Sequence, residues 1–547
     1  MATSNVSRRT LMGAATIAAV VGGTAFALRG PGANRHVISD NRTLNRGNGS
    51  EPDSLDPHKA QGLYENNIIG DMFAGLMTED IASNPIPGAA VSYSASADGL
   101  VYTFALRDHT WSDGVPVTAH DYVFSLRRLM NPKTAGQYAP ILYAVKNAEA
   151  VNGGRMPVDS LGVRAINDKT LEITFAVEVP YIAQLFTHFA SFAVPQHVVE
   201  KHGDAWLLPG NIVVNGPYIL KEWIANDHVL LVKNPHFYDA KSVVVERVYY
   251  YPTSDYSAAL NRFRAGELDT NNAVPSQEID WIRTNLPHSL RIAPWMAMEY
   301  LQFNFTRAPF NDLRVRKALS MAIDREIIAT RVMRAGERAA YSFVPPDMPG
   351  YPGKAHCDFE SMPMSERIVQ AKALLAAAGY NENNPLTFDY NFQDQTDRRL
   401  MAVALQSMWK DIGAQVRLAS AETLVHYNLM RKQQFSVAAA GWSSDYRDAK
   451  DWLMLWQTVS RDLNTGRYSN PKYDALIDQS DHMRDPAQRG LLLQEAEQIS
   501  LDDVAYAPVF YRTSRMLISP EVKGWIDNNM AINRSRYLSL DRGQPSV

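Results

Sequence analysis

From about residue 100 to residue 420 the chain alternates strand patterns with helix patterns, and this constrains its fold more than any single motif. Residues 100–107 place Tyr102, Phe104 and Leu106 on one face and Val101, Thr103 and Ala105 on the other, the period of a strand. Ser112-Asp113-Gly114 reads as a turn, and Thr118 as the cap of a helix that reaches Arg128 and stops before Asn131-Pro132. Residues 245–251 read as a strand, followed by a helix capped by Ser254 and ended by Gly266. The pattern then predicts a strand at 301–305, and a helix from near Leu313 with Val315, Leu319, Ala322 and Ile323 on one face. It continues with a helix at 365–379, a strand at 386–390, a helix at 398–412 and a strand at 416–418. Such alternation calls for α/β sheets, and 547 residues suffice for about three or four domain-sized units.

The first 27 residues read as an address. Arg8-Arg9 precede a mildly apolar run from Leu11 to Ala27, which ends in the small-residue site Ala25-Phe26-Ala27. The arginine pair and the weak apolar core resemble a twin-arginine signal. No later stretch has the length and apolarity of a membrane span. The product is therefore expected outside the cytoplasm, in the periplasm. A net charge of −4 argues against a nucleic-acid binder, and the single cysteine, Cys357, excludes an internal disulfide or a cysteine-based zinc site.

Catalytic motifs are missing. The chain has no HExxH helix and no GxSxG elbow. Gly47-Asn48-Gly49 lacks the third glycine of a dinucleotide loop, and Gly350–Lys354 lacks the hydroxyl residue of a phosphate loop. The thirteen histidines show no i, i+4 pair. Asp445 and Asp448 are the nearest approach to an acid–base pair. Neither an enzyme, nor a cofactor, nor a metal is expected.

A series of segments in fixed order resembles the periplasmic oligopeptide-binding proteins, the receptors of peptide ABC importers. It begins with Gly47-Asn48-Gly49-Ser50-Glu51-Pro52 and Ser54-Leu55-Asp56-Pro57-His58, and continues with Trp111-Ser112-Asp113-Gly114, Asn215-Gly216-Pro217-Tyr218 and Arg264-Ala265-Gly266-Glu267-Leu268-Asp269. Ala308-Pro309-Phe310-Asn311-Asp312 and Gly441-Trp442 with Asp445-Tyr446 follow. The resemblance implies an α/β, two-lobed fold with three domains and a ligand cleft between the lobes. Lobe I would comprise 28–73, 198–296 and 513–547, an extra domain 74–197, and lobe II 297–512, after a signal at 1–27.

The resemblance also implies roles. Asp445 matches the carboxylate that receives a peptide's α-ammonium group. Gly441, Ser443 and Leu63 match positions whose main chain bonds the ligand backbone. Tyr138 and Tyr511 match aromatics at the cleft rim, and Trp442 lines a side-chain pocket. Ala439 and Met430 stand where the family has arginines, Thr423 stands for a pocket tryptophan, and Ser443 replaces a cysteine. Arg398 falls where a histidine can reach a carboxylate, and Arg334 is a further basic candidate. The implied partners are a peptide and, transiently, an inner-membrane ABC permease with its ATPases; the receptor itself is expected to be a monomer. Alternatives are a receptor for a modified or cell-wall peptide or another amine-bearing solute and, from a different class, a secreted peptide hydrolase.

Cleavage after Ala27 predicts a mature N-terminus near Leu28, to be read by N-terminal sequencing of the exported protein. Replacing Arg8 and Arg9 by lysine should block export by the twin-arginine route, and undiminished export would assign the chain to the general route.

Overall fold

The computed structural model describes residues 40–345, 348–461 and 463–543; the signal segment lies outside the described residues. Among them, eleven strands join in one sheet. Its order is Gln415–Ala421, Thr387–Gln393, Val437–Ser443, Leu290–Phe303, Tyr506–Ile518, Thr270–Asn271, Thr43–Gly47, Arg247–Tyr251, His228–Lys233 and Tyr218–Ile224, with Arg338–Ala339 added on Tyr506–Ile518. The path from one half of this sheet to the other runs through two long antiparallel strands, Leu290–Phe303 and Tyr506–Ile518.

Those two strands change role along their length. Residues 290–294 pair with 513–517, next to Thr270–Asn271, whereas residues 298–302 pair with 506–511, next to Val437–Ser443. The register breaks between Pro294 and Met298. A proline supplies no ladder donor, so an interruption at this point costs little pairing. Two cores flank the break. One is drawn mainly from residues between Leu44 and Tyr250 with Ile518, Val522, Leu538 and Leu540, the other from residues between Met296 and Tyr511. Trp442 packs against both.

A separate antiparallel sheet of four strands runs Ala90–Ala95, Val101–Leu106, Thr170–Thr174, Val163–Asn167. In Val101–Leu106 the buried residues are Tyr102, Phe104 and Leu106, as the alternation predicts. The following helix, Ala119–Met130, starts after Thr118, whose backbone N–H donates to Asp121 Oδ2 at 2.9 Å. Two readings need correction. The helix Tyr256–Arg264 is capped by Asp255, whose Oδ1 accepts from Ala258 N at 2.9 Å, and not by Ser254. The strand expected at 301–305 is the end of the 14-residue strand Leu290–Phe303, whose earlier residues are hidden from a periodicity reading by Pro294. Among the described residues no helix is long and apolar enough to cross a membrane.

One buried carboxylate ties the second half together. Glu497, on the helix Pro486–Asp502, accepts from Phe343 N at 2.5 Å, from Val344 N at 3.1 Å and from the Tyr351 hydroxyl. Burial pushes it from 4.5 up to about 7, although the three hydrogen bonds pull the other way. Between those values the folded state keeps a proton that the unfolded chain has released. The contribution of Glu497 to stability is therefore full below pH 4.5 and declines as pH rises toward 7, by up to about 3 kcal/mol. Glu497→Gln should remove this decline. Thermal melts of both proteins from pH 4 to 8 test it, and parallel profiles would show that Glu497 does not titrate.

Candidate functional site

The strand Val437–Ser443 has Leu290–Phe303 on one side, with residues 437–443 all in register. On its other side Thr387–Gln393 pairs with Val437 and Ala438 alone. From Ala439 to Ser443 that edge has no strand partner among the described residues. Ala439 and Ala440 are buried and Ala439 O already meets His426 Nε2 at 3.0 Å, but from Gly441 on the backbone groups left without a strand are the kind of template on which an extended peptide adds as a further strand. Gly441 lies midway along the open edge. A Cβ there would sit 3.2 Å from both Arg398 Nη2 and Glu299 Oε2, so a side chain would press on the charged pair beside it.

Just beyond the end of the edge lies Asp445. Its carboxylate stands 3.2 Å from His188 Nε2, and its Oδ2 is buried without a hydrogen-bond partner among the described residues. Asp445, Ser443, Leu63 and Tyr138 line one cavity of about 150 Å³ together with His188. Leu63 opens the helix Leu63–Met72. The Tyr138 hydroxyl donates to Gln61 O at 3.3 Å, and its ring lies 4.8 Å from that of His188. An unsatisfied carboxylate oxygen with one imidazole beside it is suited to a hydrogen-bond donor that carries positive charge.

Asp451 holds this arrangement in place. Its Oδ2 accepts from the Trp442 indole at 3.2 Å, the Ser444 hydroxyl at 3.0 Å and Asp445 N at 3.0 Å. Burial, reinforced by the charge of Asp445, raises the Asp451 carboxyl well above the usual range. The two acids therefore differ: Asp451 is held toward its neutral form as a structural acceptor, while Asp445 faces the cavity. Trp442 is fixed by this bond and by both cores.

The remaining predicted residues lie apart from the cavity lining. Arg398 makes a two-point ion pair with Glu299, at 3.0 Å and 3.1 Å. Burial opposes its charge, and Glu299 more than offsets that, so the guanidinium stays ionised. Its Nη1 is buried with no hydrogen-bond partner among the described residues. Tyr511 is buried and donates to Ser342 O at 3.0 Å. Arg334 is taken by Asp280. Asp448 is held by Arg489 at 2.7 Å and 2.9 Å, so Asp445 and Asp448 do not act as a pair. Among the described residues no cluster of His, Cys, Asp and Glu could hold a metal.

Sequence reading missed His188, Glu299 and Asp451. Nothing near His188 marks it. Asp451 had one signal, a carboxylate within a run otherwise rich in tryptophan and leucine, where a charge needs partners. Further contacts join the two halves across the site. Tyr181 and Tyr446 stack at 4.5 Å and 9°, Arg484 meets Glu178 at 2.6 Å, and Arg431 Nη1 donates to Gln61 Oε1 at 2.6 Å.

Residues 84–464 match the family described as bacterial extracellular solute-binding proteins, family 5, middle part. The chain belongs to this family. The periplasmic oligopeptide-binding protein OppA of Salmonella typhimurium is 37% identical over 527 residues, which cover 95% of this chain and 96% of that protein. The crystal structure of Haemophilus influenzae OppA in complex with RPPGFSPFR superposes with a TM-score of 0.88 at 32% identity, covering 92% of this chain and 99% of that one. The Escherichia coli murein tripeptide binding protein MppA gives 0.89 at 34% identity, with 92% and 99% covered. An unliganded open form of MppA gives only 0.66 at the same identity, with 92% and 98% covered. The halves of this chain are thus not in the arrangement of that open form, in keeping with the contacts that cross the site.

Asp451→Ala should strand the Trp442 indole, the Ser444 hydroxyl and Asp445 N–H, and cost about 2–4 kcal/mol. Asp451→Asn keeps an acceptor and should cost less than half as much. Denaturant unfolding of both variants measures this, and equal losses would exclude the acceptor role.

Proposed function

We infer that the protein is the periplasmic receptor of a peptide ABC importer, a binding protein and not an enzyme. Family membership carries this general reading. The observation that carries its detail is the buried, unsatisfied oxygen of Asp445 at the end of an open strand edge. We propose that an extended peptide lies along Ala439–Ser443 with its backbone bonded to Gly441 and Ser443. Its α-ammonium group then reaches Asp445, and Leu63 and Tyr138 close the same cavity. Such recognition reads main chain and charge, so it tolerates many side chains.

Further parts of the reading are proposals as well. The bulged long strands near 297 and 513 act as the hinge between lobe I and lobe II, with 74–197 as the extra domain, and closure encloses the ligand. Trp442 serves by holding the wall. Tyr511, hydrogen-bonded to Ser342, shapes the rim from behind. The receptor acts as a monomer that docks transiently on its permease, and it leaves the cytoplasm by the twin-arginine route.

A second reading has support of its own. Ala439 and Met430, where the family resemblance implies arginines, are buried, and Arg398 is neutralised by Glu299. Of the Arg398 guanidinium, Nη1 is left to meet a ligand carboxylate. A peptide modified at its carboxyl end, or a cell-wall peptide, fits this weaker carboxylate site. Mass spectrometry of ligand released by denaturation distinguishes the readings. If C-terminal amidation leaves affinity unchanged at every peptide length, Arg398 has no carboxylate role.

Truncating one member of a buried charge pair costs roughly 2–5 kcal/mol. At 1.4 kcal/mol per tenfold, Asp445→Ala should weaken peptide binding by on the order of 10² to 10³. N-acetylated peptides should bind the parent poorly for the same reason. Calorimetry on ligand-stripped protein of unchanged thermal stability decides, and affinity within about threefold of the parent would refute the amine anchor.

A further inference from the structure

We infer that Arg447, together with Gln184, forms a subsite for an anionic group on the first residue of the ligand, so that the receptor favours peptides that begin with an acidic side chain. The inference rests on the peptide reading above. Two cavities meet at Arg447. One is the Asp445 cavity. The other, of about 530 Å³, lies between segments 96–102 and 178–184 on one side and 349–350 and 447–489 on the other. Arg447 and Gln184 are the two residues that line both, so their side chains contribute to the wall that the cavities share.

The other arginines around these cavities are committed. Arg484 pairs with Glu178 at 2.6 Å, Arg489 with Asp448 at 2.7 Å and Arg534 with Glu79 at 3.1 Å. Arg447 has no hydrogen bond or ion pair with any described residue, and neither does the Gln184 side chain. Asp80 lies within electrostatic range of Arg447. Its carboxylate, however, already accepts from Ala82 N, Asn84 N and the Asn84 amide at 2.8, 2.8 and 3.1 Å.

Position selects the ligand group. The open edge leads to Asp445, so the ammonium end of the peptide arrives in the smaller cavity. The first side chain branches from the carbon next to that ammonium and must enter the same space. A carboxylate there meets a guanidinium with free donors and an amide N–H₂, a match that favours planar two-point bonding. It would be repelled by Asp445 without such a cation nearby.

Calorimetry on ligand-stripped protein with Glu-Ala-Ala, Ala-Ala-Ala and Lys-Ala-Ala tests the inference. The parent should bind Glu-Ala-Ala about three- to tenfold more tightly than Lys-Ala-Ala, the size expected of a partly screened charge pair. Arg447→Gln should bring the ratio close to one, and Arg447→Glu should invert it. A parental ratio within twofold, or a preference retained in Arg447→Gln, overturns the subsite and leaves the peptide reading standing. If no peptide binds the stripped parent, the peptide reading falls and the subsite with it.

Discussion

The antiparallel pairing of Leu290–Phe303 with Tyr506–Ile518 carries the connection between the two halves of the large sheet, and the geometry of the site depends on it. The longer break, at Pro294 to Met298, separates a pairing that belongs to one half from a pairing that belongs to the other, and the second pairing carries a further shift between Glu299 and Tyr300. Strands resist stretching but bend where ladder bonds are missing. The break is where bending would cost the fewest ladder bonds, while the strand Val437–Ser443 is paired throughout with residues 297–303.

Buried charge in the site is handled by giving each ionised group a specific counterpart and holding one acid toward neutrality. Glu299 and Arg398 cancel beside Gly441, Asp448 and Arg489 cancel behind it, and burial holds Asp451 toward its neutral form beside Asp445. What faces the cavity at the end of the open edge is the Asp445 carboxylate with the His188 imidazole, while Arg447 stands in the wall shared with the neighbouring cavity. On the proposed peptide reading, selectivity for an amine follows from this subtraction more than from any dedicated pocket.

Much of the fold was legible in the sequence. The alternation in Val101–Leu106, the helix begun after Thr118 and the helix Met364–Ala377 are local facts of period and capping, and they appear nearly where the pattern puts them. The long strand Leu290–Phe303 was only partly legible, since Pro294 and a mixed run of residues mask a strand whose pairing is set by distant segments. In the site, Asp445 could be found through the Gly-Trp-x-x-Asp-Tyr segment. His188, 257 positions before Asp445 in the chain, could not, since no local pattern encodes a contact made across the fold. Arg398 was visible as a cation, but its neutralisation by Glu299 is a fact of three dimensions.

Tyr446 is counted among the buried residues of the first core although it follows the strand Val437–Ser443 of the second half, and it stacks on Tyr181. Separating the halves would move this ring from a packed interior into water, at roughly 2 kcal/mol for an aromatic side chain. The same contact forms again whenever the halves come together, so it favours the closed arrangement with or without cargo. A ligand enclosed behind it has correspondingly less to supply in order to stay there, and one tyrosine sets part of the affinity without touching the cargo at all.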